Sequence, residues 1–170
     1  MSIYTSSAQP SRNDFYETPA ATLDMILRYL DPTQHFIWEP FKGSGNSTKY
    51  MRSRGFTVSN GDDPDFFKQN IPRIEGMQTV LVSNPPFSIK RQILAHLKSI
   101  GMKHIALLLP APVLFTKYFR DCSENVQVVI HTKRCRFLDP LTGEQGGTPS
   151  FDVLWICHGM NLPKDLLFSE

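Results

Sequence analysis

The sequence predicts an α/β protein organised around one mostly parallel β-sheet, and three observations indicate this fold. Apolar segments with strand spacing alternate with segments of helical spacing along most of the 170 residues. A glycine-containing loop follows the first predicted strand and leads into a helix. The final predicted strand, 152–157, follows strand 126–130 through a Gly-rich loop that has no room for a crossover helix. We therefore predict a seven-stranded sheet whose last strand is antiparallel.

Each element is predicted from the spacing of its apolar residues and from the residues that end it. Leu23 and Ile26 lie on one face of the first helix, which ends before Asp31-Pro32. Asn46 or Ser47 is expected to cap the second helix. The predicted helices are 20–30, a segment ending near 54, 90–100 and 113–120, with one helical turn at 66–70. The predicted strands are 35–39, 56–59, 80–83, 105–109, 126–130 (with a continuation through 137 left open) and 152–157.

Composition predicts one domain at 15–170, preceded by a polar and flexible N-terminus at 1–14. The net charge of +2 gives no bulk electrostatic argument for a nucleic-acid partner. Three widely spaced cysteines predict neither a zinc site nor disulfides, and they fit a reducing intracellular compartment. The histidines show no metal-ligand spacing. With no signal peptide and no apolar run of spanning length, we expect no membrane association.

The most informative motif is a rigid turn after the apolar strand 80–83. Asn84 opens the turn, Pro85 and Pro86 stop the strand because neither can donate to a ladder, and Phe87 follows. Open α/β sheets bind ligands at the carboxyl ends of their strands. The amide oxygen of Asn84 and the carbonyl of Pro85 can accept hydrogen bonds from an exocyclic amine, and Phe87 can stack on its ring.

A glycine loop follows the first predicted strand. Gly43 and Gly45 allow a close approach of the backbone to a ligand, and Glu39 at the end of the strand can bind an ammonium or hydroxyl group. An ordinary strand-to-helix loop is the alternative. A third glycine is missing from this loop, which disfavours a nicotinamide cofactor.

An acidic turn follows the second predicted strand. Asp62, Asp63 and Asp65 lie where a carboxylate can accept hydrogen bonds from both hydroxyls of a ribose. A solvated acidic turn is the alternative for each of them.

Two groups of basic residues lie near the predicted site in sequence. Lys133, Arg134 and Arg136 lie on or beside a late strand, and Lys90 and Arg91 follow the Asn84 turn. They fit contacts with a phosphate backbone. They also fit a solvated, salt-paired sheet edge, and we favour this alternative because basic residues commonly protect such edges.

Together, segments 39–45 and 84–87 resemble the S-adenosylmethionine-dependent amino-methyltransferases of the N6-adenine type. Segment 15–19, Phe-Tyr-Glu-Thr-Pro, is similar to the N-terminal motif of that family, so the resemblance covers nearly the whole chain. It implies a Rossmann-like methyltransferase fold with S-adenosyl-L-methionine as the cofactor. The small phage-type adenine methyltransferases have a similar length and layout.

The resemblance also implies a role for individual residues. The catalytic motif maps onto Asn84, Pro85, Pro86 and Phe87. The cofactor-binding positions map onto Tyr16, Thr18, Pro19, Glu39, Pro40, Phe41, Gly43, Gly45, Asp62, Asp63, Asp65, Phe66 and Asn84. The compressed segment 61–67 leaves the ribose ligand open between Asp62 and Asp63. From their positions in the sequence, the candidates for substrate contact are Phe87, Lys90, Lys133, Arg134, Arg136, Phe137 and Phe151. Core packing is the alternative for at least one of Phe137 and Phe151.

We therefore expect N6-methylation of adenine in nucleic acid, with DNA favoured. RNA adenine methylation and a non-catalytic methyltransferase-like subunit are the alternatives. No separate target-recognition domain fits in this length, and the loop 138–150 is the sizeable insertion near the expected substrate face. A protein partner or a homodimer that supplies specificity is left open. The expected location is the cytoplasm of a bacterium or a phage-infected cell, with the nucleus as the alternative.

Overall fold

A computed structural model describes residues 16–122, 124–139, 142, 144 and 151–169 of the chain. The predicted flexible segment 1–14, Phe15 and most of the loop 138–150 lie outside the described residues. The remainder forms one mixed sheet with helices on it, and this arrangement confirms the predicted α/β class.

The sheet has seven strands among the described residues, in the spatial order β2-β1-β3-β4-β6-β5-β7. Strands β1 to β5 and β7 run parallel to one another, whereas β6 is antiparallel to its neighbours β4 and β5. The strands are β1 (His35–Trp38), β2 (Thr57–Ser59), β3 (Gln78–Ser83), β4 (Ile105–Pro110), β5 (Val126–His131), β6 (Val153–His158) and β7 (Leu166–Ser169).

In the described part of the chain, four α-helices and three 3-10 turns accompany these strands. The helices are α1 (Ala20–Leu27), α2 (Asn46–Ser53), α3 (Lys90–Ser99) and α4 (Lys117–Cys122). The 3-10 turns are Phe66–Lys68, Phe87–Ile89 and Ala111–Phe115. The two central strands β3 and β4 are continuous apolar runs because both of their faces are buried, as successive residues from Val80 to Ser83 and from Ala106 to Leu109 show.

The strand order changes direction at β1, and this position locates the ligand cleft. β1 pairs with β2 on one side and with β3 on the other. In open parallel sheets, the crevice at such a switch point lies outside the carboxyl ends of the strands. The segments that follow β1 and β3 therefore face each other across this crevice.

The predicted strands and helices differ from the structure in three places. The seventh strand of the predicted sheet was not located in the sequence; it is β7, which lies beside β5 at the edge of the sheet. β7 runs parallel to β5, so the prediction that the last strand is antiparallel was wrong, and the antiparallel strand is β6, the last but one. β5 ends at His131, so the possible continuation to residue 137 is not formed. The predicted helix 113–120 divides into the turn Ala111–Phe115 and α4, because Thr116 between them is extended.

The prediction that Asn46 or Ser47 caps the second helix was wrong. The residue before α2 is Gly45, whose φ of 86° lies in the left-handed region that glycine tolerates, and it provides no side-chain cap. The hydroxyl of Ser44 instead accepts a hydrogen bond from the backbone nitrogen of Asn46, at 3.3 Å.

A buried hydrogen bond attaches the segment after β2 to the strand β1. The indole nitrogen of Trp38 donates to Oε1 of Gln69 at 3.0 Å, and Nε2 of Gln69 donates to the carbonyl of Asp63 at 2.7 Å. Trp38 is fully buried, and Gln69 is 6% exposed. The acidic turn is therefore held against the first strand through one side chain.

We predict that Gln69→Leu lowers the free energy of unfolding by about 1–3 kcal/mol, because the buried indole N–H of Trp38 would lose its acceptor. Urea unfolding followed by tryptophan fluorescence measures this change. Gln92→Leu, at an exposed position of α3, is the matched control and should change stability by less than about 0.5 kcal/mol. Equal stability of the two variants would contradict the prediction.

Candidate active site

The carboxyl ends of β1 and β3 are joined by a buried hydrogen bond between side chains. The hydroxyl of Ser83, the last residue of β3, donates to Oε1 of Glu39, which directly follows β1. The same carboxylate oxygen accepts from the backbone nitrogen of Phe41 at 3.1 Å. Glu39 is 2% exposed and Ser83 is fully buried. The glycine loop (40–45) and the turn 84–87, which we call the catalytic turn after its predicted role, therefore both begin at this hydrogen bond, where the strand order reverses.

Burial controls the charge of Glu39. Desolvation, with a smaller contribution from the carboxyl of Glu17, holds the pKa of its carboxyl at about 8. The hydrogen bonds from Ser83 and Phe41 act in the opposite direction but are weaker. Among the described residues, Glu39 has no salt bridge. The carboxyl is thus a buried acid that lacks a cationic partner.

The N-terminal segment 16–19 connects both halves of this site, and we call it the strap. The backbone carbonyl of Tyr16 accepts a hydrogen bond from Nδ2 of Asn84 at 2.9 Å. Oε1 of Glu17 accepts from the backbone nitrogen of Ser44 in the glycine loop at 3.2 Å. Glu17 and Leu138 form an antiparallel bridge. The strap thereby fixes the catalytic turn, the glycine loop and the segment after β5 relative to one another.

The strap also fixes the orientation of the Asn84 amide. Because Nδ2 donates to Tyr16, Oδ1 must lie on the other side of the amide group. That oxygen is buried and has no hydrogen-bond partner among the described residues. A buried acceptor without a donor is costly, and in native proteins it commonly indicates a ligand position.

Four aromatic side chains gather beside Asn84, and we call them the aromatic cluster: Tyr16, Phe87, Phe137 and Phe151. The ring of Tyr16 stacks on Phe87, with centroids 5.9 Å apart and planes at 25°, and lies 5.0 Å from Phe137. Phe151 packs edge-on against Phe87 at 5.6 Å. Phe87 is 7% exposed, and Phe137 is 2% exposed. The structure thus brings three predicted substrate residues together with Tyr16, which was predicted to bind the cofactor.

The glycine loop has the geometry of a ligand-binding turn. Gly43 has a φ of 55°, and a Cβ built on it would lie 3.5 Å from Oε1 of Glu17. Gly45, which also has a positive φ, directly precedes α2. Pro40 is buried, and the ring of Phe41 packs against Phe66 at 4.6 Å. Bare backbone therefore lines the cleft beside two buried carboxyls.

The three aspartates of the acidic turn lie in different environments. Asp62 is exposed, and its carboxylate accepts from the backbone and side chain of Asn70, which lowers its pKa. Asp63 is half-buried and accepts from the backbone nitrogen of Asp65 at 2.8 Å. Asp65 is buried and caps the following 3-10 turn by accepting from Phe67 at 3.1 Å. All three carboxylates thus shape the turn itself.

Phe66, one of the predicted cofactor-binding residues, lies in the core of the structure. It is 1% exposed and packs between Trp38, Phe41 and His96. The ring contributes to the core beneath the acidic turn, and the half-buried Phe41 lies nearer the surface.

The basic residues divide into paired and exposed groups. Lys90 folds back onto the catalytic turn and donates to the carbonyl of Phe87 at 2.9 Å. Arg134 forms a 2.8 Å ion pair with Asp152, as the salt-paired alternative predicts for that residue. Lys133 and Arg136 are exposed, while Cys135 between the arginines is buried against Thr22. The described residues contain no cluster of ligands for a metal ion.

Ser83 and Glu17 are site residues to which the sequence interpretation gave no role. Ser83 directly precedes the catalytic turn, and Glu17 lies within the strap motif. A buried serine next to a motif carries no signal by itself. Both roles depend on contacts that join distant segments, which are 44 residues apart for Ser83 and Glu39.

Comparison with known proteins identifies the fold. No family model and no curated protein matches the chain. Among solved structures, a candidate class I S-adenosylmethionine-dependent methyltransferase from Listeria monocytogenes is similar, with a TM-score of 0.51 at 12% identity. The similarity covers 94% of this chain and 67% of that one. The chain therefore has the Rossmann-like fold of class I methyltransferases.

A second solved structure is more distant. It is a dimethyladenosine transferase from Plasmodium falciparum, with a TM-score of 0.45 at 14% identity. The match covers 85% of this chain and 62% of that one.

No helix in the described part of this chain has both the length and the hydropathy needed to span a bilayer.

We predict that the Glu39 carboxyl makes the stability of the free protein fall between about pH 4.5 and pH 8. The unfolded chain ionises this group near 4.5 and the folded chain near 8, so in that window only the folded state retains the proton. The slope reaches at most about 1.4 kcal/mol per pH unit for one proton. Denaturant unfolding at a series of pH values measures it.

The matched variants are Glu39→Gln, which should flatten this slope, and Glu75→Gln, which removes an exposed carboxyl and should retain it. An unchanged slope in Glu39→Gln would show that Glu39 titrates normally in the folded protein.

Proposed function

We propose that this protein transfers a methyl group from S-adenosyl-L-methionine to the N6 amine of adenine in nucleic acid, and that DNA is the favoured substrate. The observation that carries the proposal is the buried, unpartnered Oδ1 of Asn84, held in place because Tyr16 accepts from the same amide group. An exocyclic NH2 is the donor that this oxygen lacks. The proposal is also supported by the position of this turn directly after the carboxyl end of β3, since open α/β sheets bind ligands at that edge.

The residues beside Asn84 fit the proposed cofactor. Its methionine end carries an ammonium group and a sulfonium, and the buried carboxyls of Glu39 and Glu17 have no cationic partner among the described residues. Gly43 and Gly45 leave backbone open to it. Asp62 or Asp63 would hold the ribose hydroxyls. S-adenosyl-L-methionine supplies an electrophilic methyl group when it is bound there.

Asn84 and Pro85 would activate the amine of the substrate by hydrogen bonding. The lone pair of the adenine N6 amine is delocalised into the ring, which makes it a poor nucleophile. Hydrogen bonds from that NH2 to Oδ1 of Asn84 and to the carbonyl of Pro85 favour a tetrahedral nitrogen and orient its lone pair. They would also stabilise the positive charge that develops on nitrogen as the methyl carbon bonds to it and leaves the sulfonium sulfur, which keeps the electron pair of the broken bond. The proton then becomes acidic and leaves to water, so no strong base is required.

The aromatic cluster would receive the target base. In a duplex the base must leave the stack, which costs a few kcal/mol, and stacking on Phe87 offsets part of this cost. Tyr16 lies on the face of Phe87 in the free protein. We infer that its ring moves aside when the base enters, and that Phe137 and Phe151 form the remaining walls.

The test of this proposal is a transfer assay with tritiated S-adenosyl-L-methionine on native DNA, heat-denatured DNA and RNA. Nucleoside mass spectrometry of the products identifies the methylated base. N6-methyladenine in DNA supports the proposal, and N6-methyladenine in RNA alone would replace DNA with RNA as the substrate. Binding of the cofactor without any transfer would indicate a non-catalytic subunit. Absence of both binding and transfer would overturn the proposal.

We predict that Asn84→Ala lowers the rate of methyl transfer by at least about 100-fold, since it removes an acceptor that acts on the reacting amine. Cofactor affinity, measured by calorimetry, should change by less than about fivefold, because the carboxyls and the glycine loop are untouched. Glu39→Gln provides the converse control and should weaken cofactor binding. Full activity in Asn84→Ala would contradict the proposed catalytic role of Asn84.

A further inference from the structure

Phe115 is the most exposed large apolar side chain in the described part of the protein. Its side chain is 90% exposed, compared with 64% for Phe168 and 50% for Leu166. A single exposed apolar side chain is common at a protein surface, so a role for Phe115 has to be argued from its position and its neighbours.

The backbone that carries Phe115 is held on both sides. Val113, two residues before it, is 1% exposed and anchors the 3-10 turn Ala111–Phe115 in the core. After it, the backbone nitrogen and hydroxyl of Thr116 both donate to the carbonyl of Val113, at 3.0 and 2.7 Å. Before it, the backbone nitrogen of Ala111 donates to the backbone carbonyl of Asp152 at 2.8 Å. The ring is thus presented to solvent by a fixed turn.

This turn stands beside the catalytic turn. β3 and β4 are adjacent parallel strands, with Ser83 opposite Leu107. β4 continues for three residues beyond Leu107, to Pro110, which raises its end by roughly 10 Å at about 3.3 Å per residue. The turn that carries Phe115 therefore leaves the same edge of the sheet as the turn that begins at Asn84, from the neighbouring strand.

The loops at this edge of the sheet differ in charge from one side to the other. Segments 39–45 and 60–65, after β1 and β2, contain four carboxylates and one lysine. Segments 84–91, 111–117 and 132–137, after β3, β4 and β5, contain no acidic residue. Their cations are Lys90, Arg91, Lys117, Lys133, Arg134 and Arg136, of which Arg134 is paired with Asp152 directly before β6. The side that carries Phe115 is therefore the one that a polyanion would contact.

We propose that Phe115 is a wedge that enters the base stack of double-stranded DNA where the target nucleotide leaves it. The inference rests on the proposed function, because the wedge serves a base that moves into the aromatic cluster. Apolar wedges of this kind fill the gap in a stack and keep it open, while cations on either side contact phosphates. A rigid turn favours the role, since little conformational entropy is lost when the ring inserts.

A wedge predicts a preference that can be measured without methyl transfer. The probe is a 20-base-pair duplex with a central abasic residue, compared with the intact duplex of the same sequence. The abasic duplex already has a gap in the stack, so the native protein should bind it roughly tenfold more tightly, consistent with the energy of stacking one aromatic ring on a base. Fluorescence anisotropy measures both affinities.

The variants separate a wedge from a generally sticky surface. Phe115→Ala should lose the preference for the abasic duplex, and Phe115→Leu should retain most of it because leucine is also an effective wedge. Phe168→Ala, which removes the other exposed phenylalanine at the edge strand β7, is the matched control and should keep the preference. No preference in the native protein, or equal loss in Phe115→Ala and Phe168→Ala, would overturn the proposal.

Activity provides a second readout. With the same DNA in native and heat-denatured form, Phe115→Ala should lower methyl transfer to the native form about tenfold and to the denatured form less than twofold. If the native protein methylates neither form yet shows the abasic preference, the proposed function fails and the wedge stands. If sedimentation shows that Phe115→Ala converts a dimer into monomers, the ring belongs to an interface between copies, and the wedge is excluded.

Discussion

The hydrogen bond between Ser83 and Glu39 is the constraint on which the rest of the site depends. It joins the ends of the two strands that flank the switch point of the sheet, and it does so in a fully buried position. Because a buried carboxyl is tolerated only with hydrogen-bond partners, the geometry of both strand ends is fixed by the need to satisfy it. The glycine loop follows Glu39 and the catalytic turn follows Ser83, so the distance between the two segments is fixed as well.

The strap adds a second constraint from outside the sheet. Tyr16 orients the Asn84 amide with its backbone carbonyl, and Glu17 holds the glycine loop with its side chain. A backbone carbonyl cannot be lost by substitution, which makes it a robust way to choose between two amide orientations that are nearly isosteric. The Oδ1 atom of Asn84 is then left unpaired, which costs free energy, and the packing of the surrounding core strands offsets that cost.

The sequence predicts well those features that depend on neighbouring residues. The turn at Asn84 follows from two prolines after an apolar strand, and the left-handed residues of the glycine loop follow from Gly43 and Gly45. β7 could not be predicted in this way, because four residues carry little periodicity and the strand is held by its hydrogen bonds to β5. The burial of Phe66 and the attachment of Lys90 to Phe87 likewise depend on how the chain packs, which local patterns do not encode.

The long sequence separations in the strap region bear on how the protein assembles. Thr22, just after the strap, contacts Cys135 across 113 residues and accepts from the indole of Trp155 across 133 residues. Contacts between such distant segments lose the most chain entropy, so they are expected to form after the parallel strands have paired. Thr22 is 2% exposed and Trp155 is fully buried, so this closure belongs to the core and not to a loosely held surface segment. The site is therefore completed late in folding, when the most distant segments of the chain meet.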